Sequence, residues 1–449
     1  MVKVITYGTF DLLHQGHVNL LKRAKALGDY LVVGVTSDTF DLERGKLNVR
    51  NNVLDRIEAV KATGLADKII IEEYKGQKID DIQKYGVDIF TVGSDWEGYF
   101  DYLNEFCKVV YLPRTEGVSS TILRAASQFV CKIGLVGSGR IARRFVKECS
   151  FVNGATPYSV FNPIEDEAEK FAQEYGLKEY YDKDYSKFLD SVDAVYVASP
   201  HLTHYSYTKQ ALQASKHVLC EIPFQLGVDN AKELYDLATE KGLMLMEASK
   251  TAFCPAFNHI VTLVKSGVIG EVVDVDTSFS KLVSEDNRIL DSTQAGGAVT
   301  ELAPIPLMAI VKVLGKDIKN VRFYSKMQKD VDIFTKGIVE YENATASIKL
   351  GLGVKTEGNL VISGTKGYVY VPAPWWLTSY FEVRYEDQNK NKKFFYTYDG
   401  DGLRYEIKTF LQCIMNKQVR TYHLSRSESV KIAEIIEYYR EGNNLHLIK

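Results

Sequence analysis

The chain has 449 residues, of which 45% are hydrophobic and 25% charged, and carries a formal net charge of −3. That length implies more than one domain, with enough apolar material for packed cores, which excludes disorder as the main state. The near-balanced charge gives no reason to expect nucleic acid or an anionic membrane as a partner.

Residues 2–7 (VKVITY) read as a β-branched strand, followed by a turn that opens on Gly8 and a helical pattern from about residue 16. Alternating apolar runs at 30–36, 68–72, 87–92 and 108–112 fit further strands of a parallel sheet covered on both faces. The same grammar restarts at residue 131: an apolar strand, a glycine turn at 137–139, then a helix. Strands at 156–161, 193–198, 216–220 and 243–246 follow. Beyond about residue 270, longer alternating strands at 271–283, 319–328, 333–341, 344–352, 358–363 and 367–371 predict an open, largely antiparallel sheet, closed by helices at 405–415 and 427–440. The expected fold class is α/β: two tandem Rossmann-like doubly wound domains (1–128 and 131–252), then a predominantly antiparallel open-sheet α+β domain (253–449). No run approaches the ~18 uninterrupted apolar residues of a membrane helix. Asp11 and His14 interrupt the first apolar stretch, unlike a signal peptide. Six scattered cysteines without a C-x-x-C pair fit reduced residues of a cytoplasmic protein, with no metal site.

The strongest chemical signal is GTFDLLHQGH at 8–17. His14 and His17 are spaced i, i+3, so a helix starting near residue 15 puts both imidazoles at its first turn, beside unpaired N–H groups and the positive end of the dipole. Together they form a cradle for phosphate and for charge developing on it. A second cluster, Arg114, Thr115, Ser119, Ser120 and Thr121, follows a predicted strand and precedes a predicted helix at 122–127, with Lys46 as a third candidate cation. The two clusters at this separation resemble the cytidylyltransferases that carry H-x-G-H and R-T-x-G-x-S-[ST]-T motifs, over residues 1–127. The resemblance implies transfer from CTP, with Mg²⁺, to a polyol phosphate such as glycerol 3-phosphate or a related alditol phosphate, giving a CDP-polyol and pyrophosphate. It implies catalytic roles for His14, His17, Lys46 and Arg114. Gly8, Thr9, Phe10, Asp11, Gly93, Asp95 and Trp96 would line the nucleotide and acceptor pocket, and Thr115, Ser119, Ser120 and Thr121 would receive phosphates. Residues 61–64 (KATG) lack an arginine that the resemblance implies there, which leaves the acceptor open.

The second glycine turn, with Gly137, Gly139, Arg140, Ile141 and Ala142, stands where a dinucleotide fingerprint requires it. The next strand ends at Asn162, neither an acid for a ribose hydroxyl nor an arginine for a 2′-phosphate, so NAD and NADP both stay open. The runs 197–204 (VASPHLTH) and 216–224 (KHVLCEIPF) resemble the glucose–fructose oxidoreductase and inositol dehydrogenase family, over 131–449. That resemblance implies cofactor contacts from Ser199, Pro200, His204 and Glu221. The family's E-K-P lysine is Ile222 here, and an isoleucine cannot transfer a proton. Either this half is a catalytically inactive dinucleotide-binding scaffold, or another group took over: Lys250, just past a strand end, is the candidate, with His201 as another proton carrier and Glu301 as a substrate-binding substitute. Trp375 and Trp376 read as sheet-surface filling. The whole is expected to be a bifunctional homo-oligomer that also reduces a sugar or keto phosphate to the polyol phosphate.

Overall fold

The computed structural model describes residues 1–43, 49, 51, 53–74, 76–113, 130–164, 166–284, 287–396 and 400–449. The chain divides into two compact units, 1–130 with 151–154, and 131–150 with 155–449.

In the first unit, β1 (Lys3–Gly8), β2 (Tyr30–Thr36), β3 (Lys68–Glu72), β4 (Ile89–Gly93) and β5 (Lys108–Leu112) form one parallel sheet in the order β3-β2-β1-β4-β5. Helices α1 (Gln15–Lys25), α2 (Asp38–Glu43), α3 (Val53–Ala62) and α4 (Gln77–Tyr85) alternate with the strands. Successive residues of β1 serve opposite cores: Val4 packs with Leu21, Val33 and Val60, and Ile5 with Val32, Ile82 and Phe90. Burial on both faces is why these strands read as unbroken apolar runs. The order reverses between β1 and β4, so Gly8 and Gly93 end neighbouring strands at the topological switch point.

The second unit repeats that logic. β6 (Cys131–Val136), β7 (Ala155–Phe161), β8 (Glu179–Tyr181), β9 (Ala194–Val197), β10 (His217–Glu221) and β11 (Leu245–Ala248) form a parallel sheet ordered β11-β10-β9-β6-β7-β8. Its helices are α5 (Arg140–Cys149), α6 (Glu167–Tyr175), α7 (Tyr185–Asp190), α8 (His204–Gln213) and α9 (Val228–Glu240). After α10 (Lys250–Phe253) and α11 (Pro255–Lys265), a mixed nine-stranded sheet is built from β12 (Val272–Ser280), β13 (Asn320–Gln328), β14 (Val331–Glu340), β15 (Thr345–Gly351), β16 (Leu360–Gly364), β17 (Tyr368–Val371), β18 (Tyr380–Arg384), β19 (Lys392–Phe395) and β20 (Leu445–Leu447). Its pairs are antiparallel except β12–β15 and β13–β20. Helices α12 (Ala298–Leu302), α13 (Pro304–Leu314), α14 (Leu403–Met415) and α15 (Arg426–Arg440) complete the unit. The strands β8 (EYY), β18 (YFEVR), β19 (KKFF) and β20 (LHL) escape sequence reading because charged or polar residues break each short apolar run. One stretch, Ser292–Leu314, has the length and apolarity to cross a membrane, yet 83% of its apolar 18-residue window is buried, as in a core helix.

Candidate functional site

In the first unit, β1 delivers the chain into a loop that ends at His14, the N-cap of α1. His14 Nδ1 accepts from the Gly16 N–H at 3.1 Å, and His17 Nδ1 accepts from the His14 N–H at 3.4 Å, a reciprocal capping box made by two imidazoles. The rings stack 3.9 Å apart at 21°. Since each Nδ1 is an acceptor, each neutral ring carries its hydrogen on Nε2. The cap therefore sets both tautomers as donors on the ring edge away from the backbone.

The loop is strained: Phe10 and Leu12 have φ of 52° and 48°, unusual for non-glycine residues. A buried cation holds it. Arg56 of α3, fully buried, donates to the Thr9 carbonyl at 2.8 Å and to the Asn51 carbonyl at 2.9 Å, and pairs with Asp41 at 3.2 Å and Asp38 at 2.6 Å. Thr9 Oγ1 donates to Asp41 at 3.3 Å, and the Asn51 N–H donates to Asp11 at 3.0 Å. Phe10 is buried edge-on against His17, and Gly8 lies against its ring. Sequence reading missed Arg56, because a lone arginine in VLDRIEAV looks like the solvated face of a helix. Gly93 faces open space at the end of β4, and Trp96 is half-exposed in the following turn. Lys46, Arg114, Thr115, Ser119, Ser120 and Thr121, the predicted helix at 122–127 and the Asp95 side chain lie outside the described residues.

In the second unit, Gly137 has φ +99°, and a Cβ there would meet the Ala198 carbonyl at 2.7 Å, so the turn at the end of β6 needs glycine. Gly139 faces open space at the uncapped N-terminus of α5, which presents free N–H groups. A cavity of about 390 Å³ opens beside this turn, bordered by Arg140, Ile141, Ser199, Glu221, Ile222 and Lys250 on the Rossmann side, and by Lys281, Arg288, Glu301 and Trp376 from the open-sheet side. Arg144 adds a fifth cation, against two carboxyl groups, Glu221 and Glu301. Lys281 and Arg288 were not anticipated, because Lys281 falls in the tail of a strand read at 271–283 and Arg288 in a short turn beyond it that carries no motif.

Lys250 is held in place: its Nζ donates to the Asp401 carbonyl at 2.8 Å, and the Asp401 N–H donates to Glu148 at 3.3 Å. Glu148 is buried in a two-pronged pair with Arg404, with contacts of 2.9 and 2.8 Å. Glu301 rides on α12, whose Val299 N–H is capped by Asp332 at 3.0 Å. Burial pushes the Glu301 carboxyl up, against the pull of Arg288, Lys281 and Arg140.

Several expected cofactor contacts do other work. Ala142 is fully buried. Asn162 donates to Ser138 at 2.7 Å and accepts from Ile164 at 3.0 Å, so its amide braces the glycine turn. Both ring nitrogens of His204 lie 2.9 Å from backbone carbonyls, of Pro223 and Ser199, which makes this buried ring a tie between two turns. Pro200 leads into the short turn at 201–203. Trp375 is fully buried, and Trp376 fills the sheet surface by stacking on Phe279 of β12 at 4.0 Å while it also lines the cavity.

Glu247, at the end of β11, is 2% exposed, and burial pushes its carboxyl up to about 7. The folded chain holds this proton more tightly than the unfolded chain, whose carboxyl titrates near 4.5. The stability it contributes is complete below about pH 4.5 and is lost as pH rises through about 7. Glu247→Gln is expected to flatten the fall in melting temperature between about pH 4.5 and 7, an effect of about 1–3 kcal/mol. Calorimetry across that range checks it, and an unchanged slope refutes it.

Family models match three successive stretches: cytidylyltransferase-like over residues 5–126, oxidoreductase family NAD-binding Rossmann fold over 131–249, and GFO/IDH/MocA C-terminal domain over 257–370. The glycerol-3-phosphate cytidylyltransferase of Bacillus subtilis is 50% identical over 129 residues, covering 28% of this chain and 95% of that protein. Trans-1,2-dihydrobenzene-1,2-diol dehydrogenase of Sus scrofa is 25% identical over 321 residues, covering 69% of this chain and 96% of that protein. Among solved structures, KijD10, a 3-ketoreductase from Actinomadura kijaniata, solved in complex with NADP and TDP-benzene, superposes with a TM-score of 0.64 at 22% identity, covering 71% of this chain and all of its own, a likeness of fold. The chain therefore belongs to the cytidylyltransferase-like family through its first unit and to the GFO/IDH/MocA oxidoreductase family through its second.

Proposed function

We propose that the first unit transfers CMP from CTP to a polyol phosphate, and that the second unit uses NAD or NADP to reduce a sugar or keto phosphate to that polyol phosphate. The observation that carries the transferase reading is the stacked imidazole pair at the start of α1, with both Nε2–H groups oriented by the capping box. An acceptor phosphate oxygen attacks the α-phosphorus of CTP, and the bond to the β-phosphate oxygen breaks to release pyrophosphate. His14 and His17 donate to the phosphate oxygens on which charge builds. Gly8, Thr9, Phe10, Asp11, Gly93, Asp95 and Trp96 would shape the pocket. Lys46, Arg114, Thr115, Ser119, Ser120 and Thr121 would hold the remaining phosphate charge. No group of three or more His, Cys, Asp or Glu that could hold a metal occurs among the described residues, so Mg²⁺ would arrive on the triphosphate, and no step is assigned to it.

In the second unit the glycine turn, the open N-terminus of α5 and the adjoining cavity fit a dinucleotide, which when bound supplies the hydride. The surplus of cations in the cavity suits a phosphorylated substrate. Ile222 lines the cavity without a proton to give, so Lys250 protonates the carbonyl oxygen as its carbon is reduced, and Glu301 anchors a substrate hydroxyl. Ile222 also favours a second reading, in which only the transferase turns over and the second unit is a dinucleotide-binding scaffold.

Pyrophosphate release from CTP should be screened with glycerol 3-phosphate and with four- to six-carbon polyol phosphates, and NADH and NADPH oxidation with the matching keto and aldose phosphates. Lys250→Ala is expected to lower reductive kcat by roughly 10²-fold, with pyrophosphate release unchanged. Full reductive turnover in that variant removes Lys250 from the mechanism. Cofactor binding with no reduction by the native chain establishes the scaffold.

A further inference from the structure

The glycine turn of the second unit is tied to the end of β7 by the Gly137 N–H, which donates to the Phe161 carbonyl at 2.9 Å, and three polar side chains meet beside that tie. Ser138, between the two glycines, is buried. Its Oγ accepts from Asn162 Nδ2 at 2.7 Å and directs its own hydrogen at Glu167 Oε2, 3.4 Å away. The Asn162 amide is engaged at both ends, since Oδ1 accepts from the Ile164 N–H at 3.0 Å. Glu167 opens α6 and is half-buried, and its carboxylate makes no other hydrogen bond or ion pair among the described residues. No lysine or arginine occurs between Lys147 and Lys170. The cations of the neighbouring elements each stand beside an acid: Lys170 is 3.9 Å from Asp166, Lys183, past the end of β8, is 3.9 Å from Asp182, and Arg143 of α5 pairs with Glu174, two turns along α6.

We infer that Glu167 selects NAD over NADP. The inference rests on the dinucleotide-binding reading of the second unit, in which the adenosine ribose lies where the second strand of the sheet ends. An acid at that place accepts from the ribose 2′-hydroxyl, and an arginine there accommodates a 2′-phosphate. The strand end itself offers neither, because Asn162 is spent on bracing the turn. The acid comes instead from the first turn of the next helix, where Glu167 reaches back to the glycine turn through Ser138. An ionised carboxylate only accepts, so it suits a second hydroxyl donor beside the serine. A 2′-phosphate would bring a dianion against the same carboxylate, with the neighbouring cations already beside acids, and like charges in a half-buried place repel strongly.

The test uses the full chain and needs no turnover: NADH and NADPH are titrated against it, and binding is read from nicotinamide fluorescence. The native chain is expected to bind NADH roughly 10-fold or more tightly than NADPH. Glu167→Gln is expected to shrink that ratio by roughly 5-fold or more, chiefly by tightening NADPH, and Glu167→Arg to reverse it. Glu169→Gln is the control, since it removes the same charge from the same helical turn, where Glu169 accepts from Gln173 at 3.2 Å, and it is expected to leave the ratio unchanged. Circular dichroism and melting establish that each variant is folded. A native preference for NADPH, a ratio that Glu167→Gln leaves as it was, or an equal fall in Glu169→Gln overturns selection by Glu167 while the dinucleotide reading stands. A native chain that binds neither coenzyme overturns that reading and the inference with it.

Discussion

His14→Asn is expected to fold as the native chain does and to lose cytidylyl transfer by roughly 10²- to 10⁴-fold. The choice of asparagine separates two duties of one side chain. His14 caps α1 through Nδ1, and asparagine caps about as well, so the helix start survives. The Nε2–H aimed at phosphate does not survive. His17→Gln makes the companion case: glutamine at that position preserves the reciprocal bond to the N-cap N–H while removing the second imidazole donor. Alanine at either position would confuse a lost cap, about 1 kcal/mol, with lost chemistry. Circular dichroism and melting establish the fold, and pyrophosphate release reads the chemistry. Native-like turnover in both variants would remove the imidazole pair from the reaction.

Arg404→Met is expected to destabilise the second unit by about 3–5 kcal/mol, because it strands the Glu148 carboxylate in the interior. The pair links α5 to α14, with 4% or less of either side chain exposed. Replacing both partners, Glu148→Met with Arg404→Met, is expected to recover much of the stability, since two apolar side chains leave no uncompensated charge. Recovery of stability without recovery of reduction is the informative result. Glu148 also accepts the Asp401 N–H, and the Asp401 carbonyl holds Lys250, so the double variant keeps the core but loosens the lysine. Scanning calorimetry separates the stabilities, and a single variant as stable as the native chain would refute the assignment.

Much of the architecture was legible because its signals are local. A strand buried on both faces is an unbroken apolar run, and a glycine turn between strand and helix marks each start of a doubly wound sheet. The imidazole pair was legible for the same reason: an i, i+3 spacing at a helix start puts two rings on one side whatever the rest of the chain does. The tryptophan pair was read uniformly, but the two open a 3₁₀ turn at Trp375–Leu377, where adjacent side chains point about 120° apart. Trp375 points into the core, and Trp376 faces the cavity.

Sequence alone determined the two family memberships, the order of the units, the placement of His14 and His17 together, and the presence of isoleucine at position 222. Tertiary structure decided which charges converge. Arg56 became the buried brace of the Thr9–Asp11 loop, Lys281 and Arg288 joined Arg140 around one cavity, and Glu167 came to face the glycine turn while His204 became a tie. The reason is that periodicity encodes which face of an element is buried, over a span of a few residues, whereas a charged site is assembled from strand ends and loops whose proximity depends on sheet order. No local pattern carries that information.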